Sequence, residues 1–176
     1  MIPEKTLDKD KETVKLPGYF LKPGFIYLPR VPTVISAVLG SCVSVCLFDE
    51  KMKTGGMNHF RMPKSPCKEK STAIYGDVAT KTLIRMMLGH GSKMKNLEAQ
   101  IIGGAMNHKL TSVDIGSENI HIATSILRKA GVRIVSEDSG GTKGRKIIFD
   151  TSTNTTAVIK VDRLRLADWY PYNEER

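Results

Sequence analysis

A thiol and an imidazole, Cys42 and His59, lie close together in the chain, each in a setting suited to nucleophilic catalysis. In TVISAVLGSCVSVCLFDEKMKTGGMNHFRMP, Cys42 follows Gly40-Ser41 and His59 follows Gly55-Gly56-Met57-Asn58. An apolar, β-branched run (Val31, Val34, Ile35, Val38) leads into a small-residue turn that ends at Cys42. A second strand-like run, Val43 to Phe48, follows it. A nucleophile at such a turn is held by rigid backbone while its sulfur stays reachable. The Gly55-Gly56 pair is expected to turn the chain tightly and deliver His59 back toward the thiol. Thiol, imidazole and a polar orienting group are the minimum parts of an activated sulfur nucleophile.

The other candidates are weaker. Cys46 falls on the same side of the expected strand as Cys42, deep in an apolar run, and reads as buried and inert; Cys67, in a basic loop, reads as exposed. The four histidines show neither HxxxH nor HExxH spacing, so no metal site is expected, and nothing calls for a cofactor. The segment SGGTKGRK (139–146) fails the phosphate-loop template and precedes a strand-like run, so it reads as a glycine-supported turn or hairpin.

The elements that must position the pair follow from periodicity and punctuation. Residues 1–17 read as a flexible charged arm ended by Pro17-Gly18, and 18–176 as one domain. Strands are expected at 25–28, on both sides of Cys42, and at 97–102, 132–135, 146–149 and 157–161. A helix is expected over 77–88 with Asp77 as N-cap, and another over 117–130. Strands outnumber helices, and several connections are too short for a parallel crossover. The expected class is α+β with largely antiparallel pairing.

Composition sets the surroundings. At 176 residues and 40% hydrophobic content, one sizeable core forms without staples. Three cysteines without CxxC spacing argue against a disulfide framework and fit a reducing cytoplasm. The charged start excludes a secretory h-region, and no apolar run is long enough to span a bilayer, so a soluble protein without membrane insertion is expected. The net charge is +9, and part of the excess flanks the candidate pair: Lys51, Lys53, Arg61, Lys64, Lys68 and Lys70 against Glu69. Such an interval reads as a solvated loop or as a docking surface for an acidic partner. Nucleic acid is not expected, because no zinc finger, helix-turn-helix or aromatic-interleaved basic motif is present.

LGSCVSVCLFD, GGMNHFRMP, YGDVATKTLI, NLEAQIIGGA, DIGSENI and SEDSGGTKGRKIIFD together resemble, in order and spacing, the chemoreceptor glutamine deamidases, CheD, over about residues 20–165. The resemblance implies a layered α/β sandwich and a cytoplasmic chemotaxis enzyme. Such an enzyme hydrolyses receptor glutamine side chains to glutamate and releases ammonia. It implies Cys42 as nucleophile and His59 as general base. The family's third member, usually threonine, falls at Ser36. Methyl-accepting chemoreceptors are the implied partners, together with a CheC-type phosphatase whose docking surface overlaps the receptor site.

For that chemistry, an imidazolium at His59 would lower the Cys42 pKa from about 8.5 into the range of roughly 3.5–7.5. Backbone N–H groups near Gly40, Ser41 and Cys42 would hold the oxyanion, and Ser36 would orient the imidazole. Lys51, Lys53, Lys64 and Lys68 would recruit the glutamate-rich receptor. Two other readings share the same residues: a regulatory module that binds a CheC-type phosphatase with weakened catalysis, and a thiol esterase acting on glutamyl methyl esters.

Overall fold

The computed structural model describes residues 15–106, 112–164 and 168. The charged segment 1–14, His108 and the chain end past 168 lie outside these.

Among the described residues, nine strands and two α-helices form three layers. The strands are β1 (Gly18–Phe20), β2 (Phe25–Tyr27), β3 (Val34–Leu39), β4 (Val43–Asp49), β5 (Thr54–His59), β6 (Leu97–Gly103), β7 (Arg133–Ser139), β8 (Gly144–Asp150) and β9 (Thr156–Val161). The helices are α1 (Gly76–Gly89), between β5 and β6, and α2 (Ile115–Lys129), between β6 and β7. A four-stranded sheet, β1-β3-β8-β9, packs on a five-stranded sheet, β2-β5-β4-β6-β7. Pairing is antiparallel except for β1–β3 and β6–β7, the latter joined through α2. The expected α+β layered sandwich is what forms.

Strand β4 explains why the sequence around Cys42 does not alternate. All seven of its residues are buried because both its faces are covered. Val43, Val45 and Leu47 pack with α1, α2 and β6 residues in one core, whereas Cys42 and Cys46 join Ile35, Ala37, Leu39, Met57, Ile147 and Phe149 between the sheets. Cys46 is completely buried, and Cys67 is exposed, as the sequence suggests.

Three local expectations are corrected. Gly55-Gly56 is not the turn that returns His59; both residues lie inside β5. A Cβ on Gly55 would sit 2.9 Å from the Leu47 carbonyl oxygen, and one on Gly56 2.9 Å from that of Tyr27, so the glycines permit close approach of neighbouring backbone. The turn falls at 50–53, where the buried Asp49 carboxylate accepts from the N–H groups of Lys51 and Met52 at 2.8 and 3.0 Å. Helix α1 begins after Tyr75, and the Asp77 carboxylate accepts from the Ser65 N–H instead of capping it. The SGG turn is no hairpin: it carries the chain from β7 in one sheet to β8 in the other. Among the described residues, no helix is long and apolar enough to cross a membrane.

Candidate active site

The β4–β5 register brings Cys42 and His59 to one face. Cys46 pairs with Met57, and beyond the end of the ladder Val43 and Phe60 exchange both backbone hydrogen bonds at 3.0 and 3.1 Å. The same register sets Ser44 opposite His59 and Cys42 opposite Arg61. Side chains two apart on a strand share a face, so Cys42, Ser44 and Cys46 look the same way as Arg61, His59 and Met57. Cys42 and His59 are diagonal neighbours on that face, a relation that separates Cα atoms by about 7–8 Å and lies within reach of long side chains.

The imidazole is held by backbone. His59 is 1% exposed, and its Nδ1 lies 3.0 Å from the Leu21 carbonyl oxygen. A carbonyl only accepts, so Nδ1 carries the proton and Nε2 presents a lone pair. Among the described residues, that Nε2 is buried without a hydrogen-bond partner, and so is the Ser44 hydroxyl opposite it. Leu21 is itself fixed, its N–H donating to the Ser36 carbonyl at 2.8 Å.

Ser36 does not reach the imidazole. Ile35 and Ala37 point between the sheets, so Ser36 points to the opposite face of β3, where it pairs with the exposed Ile148. Its hydroxyl donates, over a long 3.5 Å, to the Tyr19 carbonyl. The orienting contact expected of its side chain is made by the Leu21 carbonyl, and Ser36 touches this arrangement only through its own backbone.

Burial favours the neutral form of both groups. Burial pushes the Cys42 thiol up to about 11, against a smaller opposing pull from the positive charge of Arg61. Burial likewise pushes His59 down to about 4, and Arg61 adds to the effect against the Leu21 hydrogen bond. The expected thiolate–imidazolium pair is therefore not the resting state: a low-dielectric layer between two sheets disfavours both ions.

The turn carrying Cys42 is pinned by its carbonyls. Gly40 O accepts from the Ala105 N–H at 2.9 Å, Cys42 O from the Gly104 N–H at 2.8 Å, and Ser41 O from Asn119 Nδ2 at 3.0 Å. Among the described residues, the N–H groups of Ser41 and Cys42 donate to no carbonyl of another residue. Gly103, at φ +113°, leaves room for this contact, since a Cβ there would lie 2.3 Å from the Cys42 oxygen. Gly104, Ala105, Asn119 and Leu21 were not singled out for the site from the sequence. The Gly103-Gly104 pair at the end of a strand was the one signal available.

The basic interval does not form one patch. Lys51 and Lys53 sit at the β4–β5 turn, whereas Arg61, Lys64 and Lys68 follow β5 at the Cys42 end. Seven residue steps along β4 separate the two ends by about 23 Å. All five side chains are exposed. The exposed apolar residues Phe25, which pairs with His59, and Met62 lie at the same end as Cys42.

Residues 61–160 match the family model described as CheD chemotactic sensory transduction. A protein of Rhodospirillum rubrum named "Probable chemoreceptor glutamine deamidase CheD" is 40% identical over 145 residues, covering 81% of this chain and 82% of its own. A similarly named protein of Methanococcus maripaludis is 36% identical over 148 residues, 82% of this chain and 96% of its own. The "Chemoreceptor glutamine deamidase CheD" of Thermotoga maritima is 34% identical over 128 residues, 73% of this chain and 82% of its own. With its family model matched over more than half its length, and relatives of this identity aligned over most of theirs, the chain belongs to the CheD family.

Proposed function

We propose that this protein is a chemoreceptor glutamine deamidase in which Cys42 is the nucleophile and His59 the general base. The observation that carries the reading is the β4–β5 register, which sets a buried thiol diagonally across one face from a buried imidazole protonated on Nδ1, in a chain of this family. A carboxamide is a poor electrophile with a poor leaving group, so nucleophile, oxyanion support and a proton for the departing nitrogen are all required.

The steps balance on these residues. As the Cys42 sulfur attacks the glutamine Cδ, its proton passes to His59 Nε2, so that a neutral pair becomes an ion pair only along the reaction path. The carbonyl oxygen turns anionic and is met by the Ser41 and Cys42 N–H groups. Collapse breaks the C–N bond as the imidazolium protonates the leaving nitrogen, and ammonia departs from a thioester. Water then attacks the thioester while His59 takes its proton. Collapse returns the proton to sulfur and leaves glutamate.

Recognition of a residue on a receptor helix is a protein–protein event. Arg61 supplies positive charge beside Cys42, Lys64 and Lys68 add charge in the loop that follows it, and Phe25 and Met62 supply apolar contact. A CheC-type phosphatase would compete for the same face, and action in the cytoplasm fits three free cysteines. Incubation with the cytoplasmic fragment of a chemoreceptor tests the reading: glutamine-to-glutamate conversion that disappears in Cys42→Ala supports it, and conversion that persists contradicts it.

A further inference from the structure

The geometry points to Asn119 as a positioning residue that aims the Cys42 N–H at the oxyanion. Asn119 lies in the second turn of α2 and is completely buried. Its Nδ2 spends both protons on the backbone just outside β4 and β5, donating to Ser41 O at 3.0 Å and to Arg61 O at 2.8 Å. Cys42 and Arg61 are the pair just beyond the last backbone hydrogen bonds of the β4–β5 ladder. The side chain therefore closes the ladder where the backbone no longer does.

The consequence follows from the planarity of the peptide group. Ser41 C=O and Cys42 N–H belong to one trans peptide and point in opposite directions. Fixing the oxygen on Asn119 fixes the hydrogen on the opposite side, and a hydrogen bond accepted at the oxygen polarises the N–H as a donor. The neighbouring peptide is treated alike: Gly40 O accepts from the Ala105 N–H, which orients the Ser41 N–H. One oxyanion donor is thus set by backbone, beyond the reach of substitution, and the other by a single side chain. Among the described residues the Asn119 Oδ1 has no partner, so the two Nδ2 donors are the hydrogen bonds through which the amide acts on this turn.

This inference rests on the proposed acyl-transfer chemistry at Cys42, and its test separates the two. Acylation of Cys42 by p-nitrophenyl acetate passes through a tetrahedral oxyanion; alkylation by iodoacetamide displaces iodide at a saturated carbon and forms none. Both rates are measured, above a Cys42→Ala background, in wild type, Asn119→Ala and the equal-sized Asn119→Asp. kcat and KM are measured in parallel on a chemoreceptor cytoplasmic fragment. The expected result is acylation and kcat reduced about tenfold or more, as for loss of part of an oxyanion site. Alkylation and KM should stay within about twofold, which a merely structural role would not predict. Asn119→Asp, which sets carboxylate oxygen against two carbonyls, should lose more than Asn119→Ala, and it carries the same test if the alanine variant does not fold. Acylation that is unchanged, or that falls in step with alkylation, overturns the assignment. Wild type that acylates in an Asn119-dependent way yet leaves receptor glutamines intact overturns the deamidase reading and keeps this one.

Discussion

His59 Nδ1 lies 3.0 Å from the carbonyl oxygen of Leu21, so the imidazole is oriented by a backbone group that no side-chain substitution removes. The Ser36 hydroxyl points to the other face of its sheet. Ser36→Ala should therefore keep kcat within about threefold of wild type, and Ser36→Thr should do the same. A loss of a hundredfold in Ser36→Ala, read in the same receptor assay, would return the orienting role to that hydroxyl.

Neutrality of the resting pair fixes a pH signature. With the thiol held near 11 and the imidazole near 4, the thiolate fraction at neutral pH is small and grows about tenfold per pH unit. Alkylation of Cys42 should rise through pH 6–9 without levelling off. A plateau beginning below pH 7 would mean that a thiolate–imidazolium pair already exists in the free protein.

The same burial links His59 to stability. Its folded pKa, near 4, lies below the ordinary 6.5, so between these values the unfolded chain binds a proton that the folded chain refuses. Stability contributed by the neutral imidazole is present above about pH 6.5 and is lost as pH falls toward 4, by as much as about 3 kcal/mol. Urea unfolding at a series of pH values should give a steeper acid loss for wild type than for His59→Gln. Equal slopes would show that the ring is accessible to protons in the folded state.

Gly103→Ala should be more damaging than its size suggests. The residue has φ +113°, and its new Cβ would overlap the Cys42 carbonyl oxygen. A loss of about 2 kcal/mol or more in unfolding free energy is expected, with activity falling as the Cys42 turn is displaced. Gly131→Ala is the matched control: φ is +72° but no atom lies within 4 Å, so about 1–2 kcal/mol and no change in turnover are expected.

Separation of the lysines along β4 makes recruitment testable in two halves. Lys64→Glu with Lys68→Glu should weaken receptor-fragment binding and flatten its dependence on salt, because these charges lie at the Cys42 end. Lys51→Glu with Lys53→Glu, at the far turn, should leave both unchanged. Equal effects from the two pairs would mean that net charge, and not a local surface, attracts the receptor.

Much of this architecture was legible because it is local. The β-branched run broken by Gly40-Ser41 marks a strand, a turn and a strand, and the return of the chain through Gly55 to His59 marks a paired strand, while the register that puts Cys42 and His59 on one face is set by the 50–53 turn. The 117–130 apolar periodicity marks α2 for the same reason. Whatever depends on partners distant in sequence was not legible. Gly55-Gly56 reads as a turn until Leu47 and Tyr27 are known to lie against it. Leu21 and Asn119 carry no chemical signal of their own; they matter because the end of β1 and α2 bring them to His59 and Ser41. The basic interval is continuous in sequence but is divided by the length of β4.

The most direct test of the central claim is a quenched reaction of the protein with a chemoreceptor cytoplasmic fragment, analysed by mass spectrometry of both chains. The account predicts that receptor glutamines become glutamates with one ammonia released per conversion, and that a receptor peptide is trapped on Cys42 as a thioester. Both signals should be absent in Cys42→Ala, and in His59→Ala no conversion should be seen. Glutamate formation in Cys42→Ala, or a covalent adduct on a residue other than Cys42, would contradict it.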